Sequence, residues 1–484
     1  MEDLVPGARL SRRELLGRAA FAAAAAAMPA KALGSGGPRP GPAETLRVAV
    51  AGVKGRGATH VAEFLKMNDV EVAAIVDVDP RVAEGPMRAA EKKLGKPPAF
   101  HKDVRKMLED RSIDAVSIAT TDHTHALFSI WSMQAGKHVY VEKPVSHNLF
   151  EGRKTVETAR KYKRICQTGH QYRSTEGNRA AMAFLKAGGL GKIRIARGIH
   201  YGRRGSIGKR PDGPVPEGVD YDLWLGPAPV RPFNPNRFHY NWHWFWDYGA
   251  SDLTANGVHH VDLLRWGLGK EGLARRVASA GGRYGYEDDA ETPNTQIAWY
   301  DYGDCEVVLE VRGLDTPPYR NVRTGLFFEG EGGVMVKPTL VSATVFDRDG
   351  KEVRTFAGGG GDHFRNFVDA IRSGKPSDLA ADIEEGHRAA ALCHMAQVSY
   401  RLGAARPMSQ EPTFQGIEAA REAFERMRKH LEDEGVKADS AEVRMGPVLD
   451  FDPAAERFTG NDAANRDLLV RREYRKPFVV PDEV

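Results

Sequence analysis

Residues 46–67, LRVAVAGVKGRGATHVAEFLKM, constrain the fold more than any other stretch of the chain. Residues 46–51 are apolar apart from Arg47, the pattern of a strand buried on both faces of a parallel sheet. Gly52, Gly55 and Gly57 follow as a turn, and a helix follows the turn. A second strand, VEVAAIVDVD, ends in Asp77. Gly57 and Asp77 stand about 20 residues apart, the usual interval between a glycine turn and the ribose-binding acid of a dinucleotide site. Glycines let the backbone approach a pyrophosphate, the helix N-terminus attracts its charge, and the acid accepts from a ribose hydroxyl. Lys54 stands where the G-x-G-x-x-G pattern has its second glycine. The expected turn is therefore shifted onto Gly55, with Lys54 or Arg56 left to meet a phosphate. Asp77 favours NAD, since a carboxylate repels the 2′-phosphate of NADP, although arginines nearby would admit NADP.

The alternation continues. IDAVSIAT (113–120) reads as a strand, THALFSIWSMQAG as a helix ending at Gly136, KHVYVEK as a strand, LFEGRKTVETARKYK as a helix and ICQTG as a strand. Such βαβ repetition predicts an α/β fold with a doubly wound parallel sheet. Ligands bind such sheets at the carboxyl ends of the strands. Thr120, His123 and His125, then Glu142-Lys143-Pro144, then Gln171 and Arg173, all follow strands and gather on the edge that holds Gly52. Charges are scarce inside buried strands, so a Glu-Lys pair at a strand end is either a solvated edge or a working site. The convergence points Lys143 toward where a nicotinamide would lie. The expected cofactor contacts are Gly52, Gly55, Arg56, Gly57, Asp77, Thr120, His123, His125, Glu142, Lys143 and Gln171.

Several classes receive little support. Net charge is +4 with no long basic run, which argues against nucleic-acid binding. Cys166, Cys305 and Cys393 are too widely spaced for a disulfide framework or a Cys-rich metal site. DHTH and HHVD offer fewer ligands than a metal usually needs. Residues 1–32 carry Arg12-Arg13, an Ala-rich apolar run and Ala30-Lys31-Ala32, the pattern of a twin-arginine signal read by the Tat export machinery. The apolar run is short of the roughly 20 residues a spanning helix needs. Residues 33–45 read as a flexible linker. A periplasmic, membrane-free mature chain is expected, with a tightly held cofactor, since that export route resembles one for proteins already folded.

AGVKGRG, IATTDHTHA, AGKHVYVEKP and TGHQYR, in this order, resemble the glucose–fructose oxidoreductase, inositol dehydrogenase and rhizopine-catabolism family (Gfo/Idh/MocA). DYDLWLGPAP, NGVHHVDLLRW, DDAETPNTQ and DHFRNFVDAIRSGKP extend the resemblance to about residue 410. It implies a Rossmann domain (46–170) and a C-terminal substrate and oligomerisation domain (171–410) with an open, mostly antiparallel sheet. Residues 411–484 are then an extension. The implied chemistry is nicotinamide-dependent oxidation or reduction at a sugar or cyclitol carbon, without a metal, in a homodimer or tetramer. Oxidation of a secondary alcohol sends a hydride to the nicotinamide and a proton to a base. The resemblance places Lys143 beside nicotinamide and substrate and makes His259 the base. Ala255 stands where related polyol dehydrogenases often carry an aspartate, so a conventional Asp-His relay is not read here. Some relatives are NAD-dependent glycosidases that oxidise, eliminate and reduce in turn, and a few are non-catalytic ligand sensors.

FHYNWHWFWDYG (238–249) contains Trp242, Trp244 and Trp246, which share one face if the segment is extended. Such rings stack on sugars or fill a core, and the sequence leaves both readings open. Trp242, His243, Asn256, Arg173 and Tyr201 are the substrate candidates. His260 and Asp262 read as capping and orienting their helix. Phe414, Ile417, Phe424, Met427 and Leu431 recur at helical spacing, so that helix should pack on the second domain. The closing REYRKPFVVP covers a subunit contact or rims the site.

Overall fold

The buried runs read from the sequence form the first sheet. Its strands are β1 (Leu46–Ala51), β2 (Val70–Val76), β3 (Ala99–His101), β4 (Ala115–Ile118), β5 (His138–Val141) and β6 (Cys166–Thr168). They are parallel and ordered β3-β2-β1-β4-β5-β6. In β1 the side chains Val48 and Val50 point to one face and Ala49 and Ala51 to the other, and all four are fully buried. The first face packs Val61 and Phe64 of the helix Arg56–Leu65. The second packs Met133 of Asp122–Gln134 and Val156 of Leu149–Lys161. Strand order reverses between β1 and β4, which opens a crevice at the carboxyl ends of the strands. The computed structural model describes residues 44–484 except 411, 413 and 415. The export signal read over 1–32, and the linker as far as residue 43, lie outside the described residues.

The second sheet has twelve strands: β7 (Ile193–Tyr201), β8 (Arg276–Gly282), β9 (Thr295–Asp301), β10 (Glu306–Arg312), β11 (Thr324–Gly330), β12 (Gly333–Lys337), β13 (Ala343–Phe346), β14 (Glu352–Phe356), β15 (Ala404–Pro407), β16 (Glu442–Met445), β17 (Leu449–Asp452) and β18 (Arg457–Thr459). It is open and mostly antiparallel, with β7 and β10 parallel. Alternation along β10 separates two cores. Val307, Leu309 and Val311 join Val261 and Leu264 of the helix Gly257–Gly267, whereas Val308 joins Phe424 and Met427 on the other face.

Two later segments pack on these sheets. The helix His363–Ser373 returns to the first sheet, where Phe364, Phe367 and Val368 pack on Val48, Val50 and Tyr140. That face is therefore covered jointly by the helix Arg56–Leu65 and by a helix from much later in the chain. The stretch after 411 packs on the second domain, as the spacing of Phe424, Met427 and Leu431 predicts. β16 pairs with β8 and β15, and the helix Glu418–Asp433 covers the outer face over β8, β9 and β10. Beneath that helix Glu310 is fully buried and held by Arg312 and Arg426 at 2.7 and 2.6 Å. Cys166, Cys305 and Cys393 are free and buried. Among the described residues no helix is long and apolar enough to cross a membrane.

Candidate active site

A cavity of about 520 Å³ lies at the carboxyl edge of the first sheet, walled by both domains and by Phe478 of the C-terminal tail. Its floor is the glycine turn. Gly52 has φ +78°, and a Cβ there would lie 2.7 Å from the Ala119 carbonyl oxygen. A Cβ on Gly57 would lie 1.6 Å from the Gly52 carbonyl oxygen, so only glycine lets the helix start against the turn. Gly57 itself packs behind the cavity wall, which Gly52 and Gly55 line. Gly55 caps the helix without a side chain, and the first turn carries no acid. The N–H groups there keep their capacity for an anion. Asp77 lines the same cavity; its Oδ2 accepts from Val53 N at 2.9 Å and its Oδ1 from Asp79 N at 3.0 Å. Burial pushes this carboxyl up to about 6, against the two backbone N–H groups, which pull it down. Uncapped N–H groups beside an acid with lone pairs to spare fit the pyrophosphate and ribose of a nicotinamide dinucleotide.

The Glu142-Lys143 pair is not a solvated edge. Glu142 is 4% exposed and accepts from Arg56 Nε at 2.8 Å and Gln171 Nε2 at 2.8 Å. His60 Nε2 lies 3.1 Å away. Burial alone would raise the Glu142 pKa, but hydrogen bonding from His60 and the charges around it hold the group well below the usual carboxylate range. Arg56 and Gln171 line the cavity, but both are turned to Glu142. Arg56 is therefore committed to a carboxylate rather than left for a phosphate, while Lys54 remains on the wall beside Asp77 and Asp79. Lys143 reaches across the cleft and donates from Nζ to the Ala255 carbonyl oxygen at 2.7 Å. His125 supports the segment: its Nδ1 is 2.7 Å from the Pro144 oxygen and its Nε2 3.2 Å from the Thr120 oxygen. Burial lowers the His125 pKa, so its single proton belongs on the shorter contact. Thr120 lines the wall, with Oγ1 2.7 Å from Thr124 Oγ1.

His259 faces Lys143 from the second domain and lines the cavity. Its Nδ1 is buried without a hydrogen-bond partner. Burial, and then the charge of Lys143, hold the ring well below the ordinary histidine range, so it is neutral with one ring nitrogen unprotonated. Asp262 neither caps the helix nor serves this histidine. It binds Arg173 through Nε at 2.9 Å and Nη2 at 2.8 Å, and Arg173 also holds Glu385 at 2.8 Å.

Other substrate candidates divide. Arg173 lies in that buried ion cluster, away from the cavity wall. Tyr201 donates to Glu310 Oε2 at 2.9 Å on the outer face of the second sheet. His123, read as a cofactor contact, is buried against the Trp224 oxygen at 3.0 Å. These three side chains satisfy partners distant in sequence and do not line the cavity. Trp242, His243 and Asn256 do line it. The aromatic segment is a 3₁₀ turn over Asn241–Trp244 rather than an extended run, which splits the three tryptophans. Trp242 stacks on His243 with centroids 3.6 Å apart, Trp244 joins the wall, and Trp246 packs under Arg401 at 5.0 Å. Asn256 donates to Asp252 Oδ1 at 2.5 Å, and Asp252 grips Arg204 at 2.8 Å through both Nε and Nη2.

Arg204, Tyr172, His239, Tyr240 and Phe478 also wall the cavity and were not legible as site residues. His239 Nε2 lies 2.9 Å from Asp79 Oδ2, tying the second domain to the dinucleotide edge. Phe478 packs on Leu127 and Ile130, beneath the Arg105 guanidinium at 5.0 Å. The tail thus rims the site, one of the two placements the sequence allowed.

Comparison with known proteins identifies the family. Residues 46–170 match the model "Oxidoreductase family, NAD-binding Rossmann fold", and residues 205–434 match "Oxidoreductase family, C-terminal alpha/beta domain". An inositol 2-dehydrogenase of Saccharopolyspora erythraea is 24% identical over 384 residues, 76% of this chain and 97% of that protein. Other matches are partial. A myo-inositol 2-dehydrogenase of Thermotoga maritima is 30% identical over 152 residues, 31% of this chain and 44% of that protein. A glycosyl hydrolase family 109 protein of Shewanella pealeana is 33% identical over 127 residues, 25% of this chain and 28% of that one. The fold is shared with a crystal structure of myo-inositol dehydrogenase from Lactobacillus casei in complex with NAD(H) and myo-inositol. That likeness has TM-score 0.53 and 18% identity and covers 74% of this chain and 95% of the other. With an NAD-binding Rossmann domain joined to the family's α/β domain, the chain belongs to the Gfo/Idh/MocA oxidoreductase family.

Proposed function

We propose that the protein oxidises or reduces a secondary carbinol carbon of a sugar or polyol with NAD, after export to the periplasm by the twin-arginine route. One observation carries the reading: Lys143 and His259, from different domains, face the cavity that also holds Asp77 and the uncapped glycine turn. A bound nicotinamide would supply the two-electron acceptor or donor. The chain's own groups do the rest. The first-turn N–H groups hold the pyrophosphate, and Asp77 takes a ribose hydroxyl. Lys143, anchored on the Ala255 oxygen, keeps its other N–H groups for the substrate oxygen. Neutral His259 accepts the hydroxyl proton. Trp242 and Trp244 offer aromatic faces to a sugar ring. His239 and Phe478 close the cleft, which supports a tightly held cofactor. NAD is favoured over NADP because Arg81 is committed to Asp79 through Nε at 2.8 Å and Nη2 at 2.7 Å, away from a 2′-phosphate.

A second reading is an NAD-dependent glycosidase, in which oxidation, elimination and reduction leave the cofactor unchanged. The partial likeness to the Shewanella glycosyl hydrolase favours it. The test is to incubate purified protein and NAD with a panel of polyols, sugars and aryl glycosides, following NADH absorbance and released aglycone. NADH formation with a polyol or sugar supports the oxidoreductase. Aglycone release without net NADH favours the glycosidase. Neither signal, with NAD bound, refutes both.

A further inference from the structure

We propose that His170 is the positioning partner of His259, in the role an aspartate would otherwise fill. The position one turn before His259 is Ala255, which has no acceptor side chain, and Asp262 is occupied by Arg173. His259 nevertheless has a buried Nδ1 without a partner. His170 has a buried Nε2 in the same condition, and the two ring centroids lie 5.6 Å apart at 76°. At that separation the nitrogens can share a proton through one water or, after a small ring rotation, directly.

The rest of the pairing sets the direction. His170 Nδ1 lies 2.9 Å from Thr168 Oγ1. A neutral imidazole has one donor and one acceptor nitrogen. With Thr168 Oγ1 accepting from His170 Nδ1–H, His170 Nε2 is a lone pair and accepts from His259 Nδ1–H. His259 Nε2 is then a lone pair toward the cavity, the form that can take a substrate hydroxyl proton. The opposite direction would place an N–H there and disable the base. When the proton arrives at Nε2, the O–H bond breaks and the imidazolium keeps its Nδ1–H on His170. Burial lowers the His170 pKa, with Arg173 and Lys143 set against Asp262 and Glu142, so this ring is neutral and offers one donor and one acceptor nitrogen. The direction of the chain rests on the proposed function; the pairing does not.

The test reads the tautomer without turnover. In cofactor-free protein labelled with ¹⁵N-histidine, long-range ¹H–¹⁵N spectra at neutral pH report which ring nitrogen of His259 carries the proton. A His259→Gln variant assigns the signals. The expected result is an Nδ1–H tautomer in the wild type that gives way to a mixed or Nε2–H form in His170→Phe. Thr168→Val, which keeps both rings and removes only the acceptor, should shift it the same way and serves if His170→Phe does not fold. An Nε2–H form in the wild type overturns the inference, and so does an Nδ1–H form that survives the substitutions. A tautomer that behaves as expected, with no sugar or polyol turned over, would count against the proposed function and leave the pairing standing.

Discussion

Asp77 should make the binding of NAD dependent on pH near neutrality. Burial lifts its carboxyl from an ordinary 3.8 to about 6 in the nucleotide-free protein. Only the ionised form offers a full-strength acceptor to the ribose. NAD affinity should therefore be constant above about pH 7 and weaken as pH falls, with the dissociation constant about tenfold higher at pH 5 than at pH 7. That factor is about 1.4 kcal/mol. The sign for stability is opposite. A carboxyl whose folded pKa is raised favours the fold while protonated, fully below its unfolded pKa, and loses that contribution as pH rises through about 6. The shift of roughly 2 units corresponds to at most about 3 kcal/mol, and NAD binding restores part of it. Calorimetric titration of NAD between pH 5 and 8, on wild type and Asp77→Asn, measures both effects. Asp77→Asn should bind NAD more weakly at pH 8 and show little pH dependence. A flat wild-type profile, or an unchanged profile in the variant, would refute the reasoning.

Further outcomes concern other parts of the site. Lys143→Met should lower kcat by about 10²- to 10⁴-fold with NAD affinity nearly unchanged, as stopped-flow and titration would show. Gly57→Ala places a Cβ 1.6 Å from the Gly52 carbonyl oxygen and should abolish NAD binding or lower the Tm by several degrees in a thermal scan. Phe478→Ala should speed NAD release about tenfold or more in a dilution experiment and also lower the Tm by several degrees, since the buried ring both rims the cavity and packs on Leu127 and Ile130. Truncation after Arg406 would bare the apolar surface around Ile297, Trp299 and Val308. Each such side chain is worth about 1.5–3 kcal/mol when buried, so aggregation on size exclusion is expected.

Much of the first domain was legible because its signals are local. Parallel strands buried on both faces read as uninterrupted apolar runs, and the glycine turn and Asp77 sit at a spacing set by one βαβ unit. Glu142 and Lys143 stand out in the sequence as candidates through their place at a strand end. Their division of labour was not, because it depends on Arg56, His60 and Ala255, all far away in sequence. Arg173 and Tyr201 looked like substrate contacts for the same reason: their partners Asp262 and Glu310 lie in other elements. The alternating tryptophans misled because period two implies a shared face only in extended chain, and Asn241–Trp244 is a 3₁₀ turn. Phe478 carries no local signal; only the path of the whole tail brings it to the cavity. The helix His363–Ser373 has an apolar face, but an apolar face says nothing about which sheet it covers.

The central claim is that one cavity places a nicotinamide between Lys143 and His259. A crystal structure of the protein with NAD bound tests it most directly. The account predicts the pyrophosphate on the Gly52–Gly57 turn, the adenosine ribose on Asp77, and the nicotinamide ring against Lys143 with His259 across the space left for the substrate carbon. A nucleotide bound elsewhere, or a nicotinamide ring turned away from both side chains, would contradict it.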